Sequence, residues 1–248
     1  AGELMRASQQ ALTRLSDSTG AYLKKPVKIY IYANSQDLQG AMIFPQEWTG
    51  GVAFTEYGII TIGIDPNNLD WGKRAIAHEL THLVVHQMTF NPYSDLPTWL
   101  DEGLAMYNEG SLDASFVNVL KMALGNNSLI SVRSLASPFS ADTNEALLSY
   151  AQSYSLVEFL VTTYGQSKML ELSATFSQGS NYDGALEKVY GFDMDGLNTL
   201  WRDYAIKRYQ TAPEKTAALR PSLIRLVSDM AASLVLDLRL ASLNGAGR

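Results

Sequence analysis

Histidine is confined to one short stretch of this chain. The 248 residues include only three histidines, His78, His82 and His86, which are spaced four residues apart. Residues four apart lie on the same face of an α-helix, so a helix here would place all three imidazoles along one face. The segment 71–88 has no internal proline and carries apolar residues at helical spacing, which predicts such a helix.

The composition limits the chemistry in which these histidines can take part. The chain has no cysteine, which excludes disulfides, thiolate nucleophiles and cysteine-ligated metal sites. A metal site must therefore use histidine and carboxylate ligands. Nineteen basic and twenty-five acidic residues give a net charge of −6. Nucleic acid is therefore not an expected partner, because binding a phosphate backbone requires an excess of positive charge.

Strand patterns precede helical patterns along the chain. Apolar residues at helical spacing over 3–23 predict an opening helix, and the β-branched and aromatic segment 27–32 predicts a strand. Segments 52–54 and 59–64 flank a Glu-Tyr-Gly turn and predict a β-hairpin. Further helices are expected beyond the 71–88 helix, opening at Thr98 and then at about 113–124, 145–164, 167–177, 181–190 and 194–210. This order predicts an α+β fold.

The chain divides into one domain and a tail. We expect a domain over residues 1–212, with a small sheet and the histidine-bearing helix at about 24–90 and a helical lobe at about 97–212. Residues 213–248 follow an amphipathic helical pattern that is too charged to span a membrane. We expect this tail to pack on its own domain, and contact with a membrane or partner is the alternative. The pattern predicts no particular oligomeric state.

Residues 78–82 read His-Glu-Leu-Thr-His, an H-E-x-x-H motif on the predicted helix. The two imidazoles of His78 and His82 can reach a single cation from one helix face. Glu79 lies about 100° around the helix from His78, beside the cation. A carboxylate there can take a proton from zinc-bound water, whose pKa the metal lowers to roughly 7. The motif predicts one catalytic zinc ion, with Glu79 as the general base.

A catalytic zinc ion takes three protein ligands, so one further ligand is required. His86 is excluded because it lies about 12 Å along the helix axis from His78. Glu102 is the better candidate, since the chain between His82 and Glu102 is long enough for an antiparallel return. We expect His86 to lie on the helix surface or to hydrogen-bond near the metal site.

Asp101 precedes the predicted third ligand. Thr98 followed three residues later by Asp101 is similar to a capping box, so we expect Asp101 to cap the second helix. A hydrogen bond from a ligand histidine to Asp101 is the alternative.

The motif at 78–82, followed by Trp-Leu-x-Glu-Gly-x-Ala at 99–105, resembles the gluzincin metallopeptidases. The resemblance is closest to the bacterial peptidase MA-like domain proteins and more distant to the aminopeptidase N and thermolysin families. It implies a zincin-like fold and zinc-dependent hydrolysis of a peptide or protein substrate. Met106 stands where the thermolysin-like pattern has an aspartate, so the resemblance assigns no residue that orients the ligand histidines.

The segment 150–160 is similar to the helix start that supplies a tyrosine hydroxyl to the tetrahedral intermediate in aminopeptidase N-like enzymes. This match places the role on Tyr150 and not on Tyr154. Amide hydrolysis needs such a donor, because negative charge develops on the carbonyl oxygen and a preorganised donor there contributes about 3–4 kcal/mol. Two ordinary half-buried tyrosines are the alternative.

The resemblance also bears on substrate binding. Gly-Ala-Met at 40–42 is similar to the start of a motif that recognises the substrate amino terminus, but Ile43 and Phe44 replace its glutamate and asparagine. An endopeptidase is therefore favoured over an aminopeptidase. In zincins a strand placed like 59–64 commonly pairs with an extended substrate.

Two further expectations concern activity and location. A zincin-like binding or sensing module with little or no turnover is the alternative function. The absence of cysteine fits an extracytoplasmic bacterial protein, secreted or at the cell surface, and does not exclude the cytoplasm.

Overall fold

A computed structural model describes residues 2–19, 22–42, 50–92 and 95–210. The predicted α+β organisation is confirmed, with a small sheet preceding a mostly helical lobe. The predicted tail at 213–248 lies outside the described residues. No helix in the described ranges has the length and apolar character needed to span a membrane.

The sheet contains three strands in the described residues: β1 (Lys28–Tyr32), β2 (Gly51–Phe54) and β3 (Ile59–Gly63). The predicted hairpin is confirmed, since β2 and β3 pair antiparallel. β1 pairs with the other edge of β3 in parallel register. The short helix α2 (Ser35–Gly40) follows β1 and is capped by the side chain of Asn34.

The sheet order is β1-β3-β2, so β3 is the central strand. The expectation that the 59–64 strand pairs with an extended substrate is therefore wrong. Both edges of β3 already hydrogen-bond to neighbouring strands, which leaves no edge for a peptide.

The histidine-bearing helix α3 (Leu69–Thr89) packs on the sheet and on α1 (Gly2–Thr19). α1 ends earlier than the predicted 3–23, and residues 22 and 23 are not helical. Ile60 and Ile62 of β3 are fully buried against apolar residues of α3 and α1. This first core fixes the position of α3, because its apolar side chains are removed from water on the sheet side.

The second core lies in the helical lobe. Its helices in the described residues are α4 (Thr98–Glu109), α5 (Ala114–Gly125), α6 (Thr143–Tyr164), α7 (Gln166–Ser177), α8 (Tyr182–Tyr190) and α9 (Met194–Ala205). They confirm the predicted helical segments, although the last one ends in a π-helical turn, Ile206–Gln210. Trp99, Phe116 and Trp201 are among the large side chains buried in this core.

α4 and α6 approach each other closely at Gly103. A Cβ atom at this position would lie 2.5 Å from the backbone oxygen of Ser153 and 2.7 Å from a methyl carbon of Val157. Only glycine allows the two helix backbones to come this near. The contact matters for the site because α4 carries the predicted ligand Glu102 and α6 carries the predicted oxyanion donor Tyr150.

We expect Gly103→Ala to lower the free energy of unfolding by about 1–3 kcal/mol, because α4 and α6 must separate to admit the methyl group. Gly125→Ala is the matched control, since no described residue outside its own stretch of helix comes within 4 Å of the added Cβ atom. Alanine is the better helix former, so the control should be neutral or slightly stabilising. Urea unfolding of both variants tests this, and a Gly103→Ala protein as stable as the parent would contradict the close approach.

Candidate metal centre

Three predicted ligands meet between α3 and α4. The Nε2 atoms of His78 and His82 lie 3.1 Å apart. The carboxylate of Glu102 lies 3.3 Å from His78 Nε2 and 3.8 Å from His82 Nε2. All three side chains are buried, and together they form a group that could hold a metal ion.

These distances suit a tetrahedral zinc ion. Bond lengths of about 2.0–2.1 Å place neighbouring ligand atoms roughly 3.3 Å apart. Both carboxylate oxygens of Glu102 are buried and have no hydrogen-bond donor among the described residues. A buried carboxylate without a donor is costly unless a cation compensates its charge. The residues therefore fit a metal ion with one carboxylate and two imidazole ligands.

The other ring nitrogen of each ligand histidine is held by a carboxylate of α4. His78 Nδ1 lies 2.9 Å from Glu109 Oε1, and His82 Nδ1 lies 3.1 Å from Asp101 Oδ1. A carboxylate accepts a hydrogen bond from a protonated nitrogen, so each Nδ1 donates, which would leave each Nε2 available to a metal ion.

The expected capping role of Asp101 is wrong. α4 follows Pro97 as its N-cap residue and has no side-chain cap hydrogen bond. The Thr98 hydroxyl donates instead to the backbone oxygen of Ala136. Both oxygens of Asp101 are taken by histidines of α3, which is the alternative that the sequence left open.

Glu109 is not among the site residues predicted from the sequence. Its position carries a usable signal, because Glu102 and Glu109 are seven residues apart and so lie two turns apart on the same helix face. Glu109 also accepts a hydrogen bond from Arg74 Nε at 3.1 Å. The carboxylate that contacts His78 Nδ1 is thus on the same helix as the predicted third ligand, Glu102.

His86 does not join the group formed by His78, His82 and Glu102. Its Nε2 atom lies 2.9 Å from Asp101 Oδ2, and its side chain is 31% exposed. This position agrees with the expected surface or hydrogen-bonding role. His82, His86 and Asp101 form a second group that could hold a metal ion.

Glu79 is buried beside β2. Its Oε1 atom would lie 3.1 Å from a Cβ atom added to Gly51, the first residue of β2. A side chain at position 51 would therefore press on the carboxylate. The glycine leaves room for Glu79 between α3 and the sheet.

Tyr150 of α6 is fully buried, and its ring packs edge-on against Phe139. Burial raises the pKa of Tyr150 well above its ordinary value, and the nearby charges of Glu102 and Glu79 raise it further. The hydroxyl thus remains protonated and able to donate. Burial and the charge of Glu158 raise the pKa of Tyr154 to about 12. The pKa of Tyr154 is thus raised by a carboxylate outside the group around Glu102.

Burial alone lowers the pKa of both ligand histidines in the metal-free protein, but neighbouring carboxylates outweigh it. Glu102 and Glu109 raise the pKa of His78 well above its ordinary value. Asp101 and Glu102 raise the pKa of His82 to about 9. Burial disfavours the charged form of Asp101, yet His86 and His82 together hold its pKa well below the usual range.

A family model described as the Peptidase MA superfamily matches residues 7–207, which is most of the chain. The chain therefore belongs to the Peptidase MA superfamily, a metallopeptidase-type family with a zincin-like fold. A comparison with curated proteins finds no match.

We expect the metal-free protein to lose stability as the pH rises from about 6.5 to 9. A histidine whose pKa is raised by folding contributes its full stabilisation below its pKa in the unfolded chain, about 6.5. This contribution is lost as the pH rises through its pKa in the folded protein, which is about 9 for His82. The lowered pKa of Asp101 changes the stability only in acid, below the pKa of about 3.9 that Asp101 has in the unfolded chain. Urea unfolding in the presence of a chelator measures the change.

His82→Gln is the control for this pH dependence, since it removes one of the two titrating groups. The decrease in stability from pH 6.5 to 9 should be smaller in this variant. A parent protein whose stability stays constant or rises over the interval would contradict the expectation.

Proposed function

We propose that this protein is a zinc-dependent peptidase of the gluzincin type, with one catalytic zinc ion bound by His78, His82 and Glu102. The observation that carries the proposal is the buried carboxylate of Glu102, which faces two imidazole nitrogens and has no hydrogen-bond donor in the described part of the chain. Membership of the Peptidase MA superfamily supports the same reading.

The zinc ion, when bound, would lower the pKa of a water molecule and polarise the substrate carbonyl. Glu79 accepts the proton of the attacking water and donates it to the leaving amine. Glu79 is buried and directly follows the proposed ligand His78 in the chain, which favours this role. Tyr150 donates a hydrogen bond to the carbonyl oxygen as negative charge develops there.

The proposed substrate is a peptide or protein, and endopeptidase activity is favoured over aminopeptidase activity. The reason is the sequence at 43–44, which lacks the glutamate and asparagine that recognise a substrate amino terminus in the enzymes this chain resembles. A zinc-binding module without turnover is not favoured, since a structural zinc site takes four protein ligands and needs no general base.

Zinc binding is the first test. We expect about one zinc ion per parent chain, with strong loss in His82→Ala and Glu102→Ala, because a catalytic site has only three protein ligands. Glu187→Ala is the matched control, since it removes an exposed carboxylate from α8. Elemental analysis of the purified proteins measures the metal. If Glu102→Ala retains zinc, Glu102 is not the third ligand. A parent protein that binds no zinc would overturn the proposal.

Hydrolysis of a labelled unfolded protein is the second test. We expect Glu79→Gln to retain zinc and lose activity by at least about 100-fold, since it removes the general base. Tyr150→Phe should retain zinc and lose about 100- to 1000-fold, because it removes one oxyanion donor.

Tyr154→Phe is the control for the tyrosine, since it lies one turn further along α6 and should keep nearly parental activity. Loss in Tyr154→Phe with retention in Tyr150→Phe would transfer the role to Tyr154. Equal activity in Glu79→Gln and the parent would contradict the mechanism. Cleavage of peptides with blocked and free amino termini distinguishes endopeptidase from aminopeptidase activity.

A further inference from the structure

Two hydrogen-bond chains run outward from the candidate metal centre. In the first, His78 Nδ1 contacts one oxygen of Glu109 at 2.9 Å, and Arg74 Nε donates to the other oxygen at 3.1 Å. In the second, His82 Nδ1 contacts one oxygen of Asp101 at 3.1 Å, and His86 Nε2 contacts the other at 2.9 Å. Each chain therefore reaches a basic residue of α3, and Arg74 also lies 3.9 Å from Asp113.

The two chains follow from one spacing along α3. Residues 74, 78, 82 and 86 are four apart, so they lie along one face of the helix. The inner two are the proposed ligands, and the outer two are Arg74 and His86. The carboxylates come from the facing helix α4, which runs antiparallel, so Asp101 lies near His86 and Glu109 lies near Arg74.

Glu109 and Asp101 each form contacts through both carboxylate oxygens. The contact with Arg74 or His86 affects the direction of the contact with the proposed ligand histidine. A carboxylate bound through one oxygen can still rotate, whereas one bound through both oxygens has a fixed plane. The planes of Glu109 and Asp101 set the directions in which the two Nδ1–H groups point. Those directions in turn set where the two Nε2 lone pairs meet.

The burial of Glu109 and Asp101 is a second reason why these carboxylates need Arg74 and His86 as partners. The side chains of Glu109 and Asp101 are 3% and 13% exposed, whereas those of Arg74 and His86 are both 31% exposed. A carboxylate removed from water needs a paired charge or several donors. Arg74 and His86 supply that compensation from the solvent side of each chain.

We propose that Arg74 and His86 are positioning residues of the metal centre, each fixing the carboxylate that orients one ligand histidine. The inference rests on the proposed function, because it concerns the same zinc site. Arg74 and His86 would act through Glu109 and Asp101, since neither is a proposed ligand of the zinc ion, the proposed general base or the proposed oxyanion donor.

A second metal ion bound by His82, His86 and Asp101 is the competing explanation for the contact between His86 and Asp101. Their ligand atoms lie within 4.8 Å of one another. Such an ion would require His82 to lose its Nδ1 proton while Nε2 serves the first metal. The hydrogen-bonded arrangement needs no such deprotonation, and metal stoichiometry distinguishes the two.

The test compares variants that remove the outer donor with variants that keep one. Arg74→Leu and His86→Leu remove the donor, whereas Arg74→Lys and His86→Gln retain an N–H group. Lys73→Leu is the matched control, because Lys73 is the neighbouring cation on α3 and its ion pairs among the described residues are with the carboxylates of Asp70 and Glu3. Arg74→Met and His86→Met, which also lack a side-chain N–H group, replace a leucine variant that does not fold, with the same expectation.

Three measurements are made on the zinc-loaded or cobalt-substituted full chain. We expect the leucine variants to release zinc to a chelator about three- to tenfold faster than the parent, less than direct loss of an orienting carboxylate would cause. The visible spectrum of the cobalt-substituted protein should shift, because ligand directions change. The kcat for peptide hydrolysis should fall while KM stays near the parental value. Arg74→Lys and His86→Gln should restore most of each signal.

The possible outcomes separate this inference from the proposed function. A parent chain that binds no zinc would overturn both. A parent that binds one zinc ion, with all variants releasing it at the rate of Lys73→Leu and with unchanged cobalt spectra, would overturn the positioning role alone. Two zinc ions per parent chain, with one lost in His86→Leu, would overturn the role of His86 in favour of a second metal site.

Discussion

The packing of α3 against α4 is the interaction on which the rest of the site depends. It buries two histidines of one helix and three carboxylates of the other between them, Asp101, Glu102 and Glu109. Removing such groups from water is costly unless each finds a partner. Asp101 and Glu109 find hydrogen-bond partners on α3 in the observed position of the two helices, so these polar contacts favour that position of one helix along the other. Apolar packing alone would permit several such positions.

The strands and helices that pack against α3 and α4 place Glu79 and Tyr150 near this helix pair. β2 and β3 pack on α3, and Gly51 leaves space for the buried carboxylate of Glu79. On the other side, Gly103 lets α6 come close to α4, which carries Tyr150 into the field of the site's carboxylates. Two glycines therefore set how near the proposed base and the proposed donor lie to the metal position.

The sequence predicted the features that depend on local periodicity. The hairpin, the histidine-bearing helix and the helical lobe follow from the spacing of apolar residues, and the grouping of His78 with His82 follows from helix geometry. The roles of Asp101 and Glu109 depend on how α3 and α4 pack, which no local pattern contains. The capping-box pattern at Thr98 was misleading because Asp101 has stronger partners on α3. The central place of β3 likewise depends on β1, which is distant in sequence.

All the residues of the two hydrogen-bond chains and the three proposed ligands lie between residues 74 and 109. Bringing them together closes a single connection, residues 90–97, between the end of α3 and the start of α4. The entropy lost in closing so short a connection is small, and a topology rich in contacts of low sequence separation is associated with fast folding. The polar centre therefore costs little loop-closure entropy, in contrast to the cores, which join strands and helices that are distant in sequence.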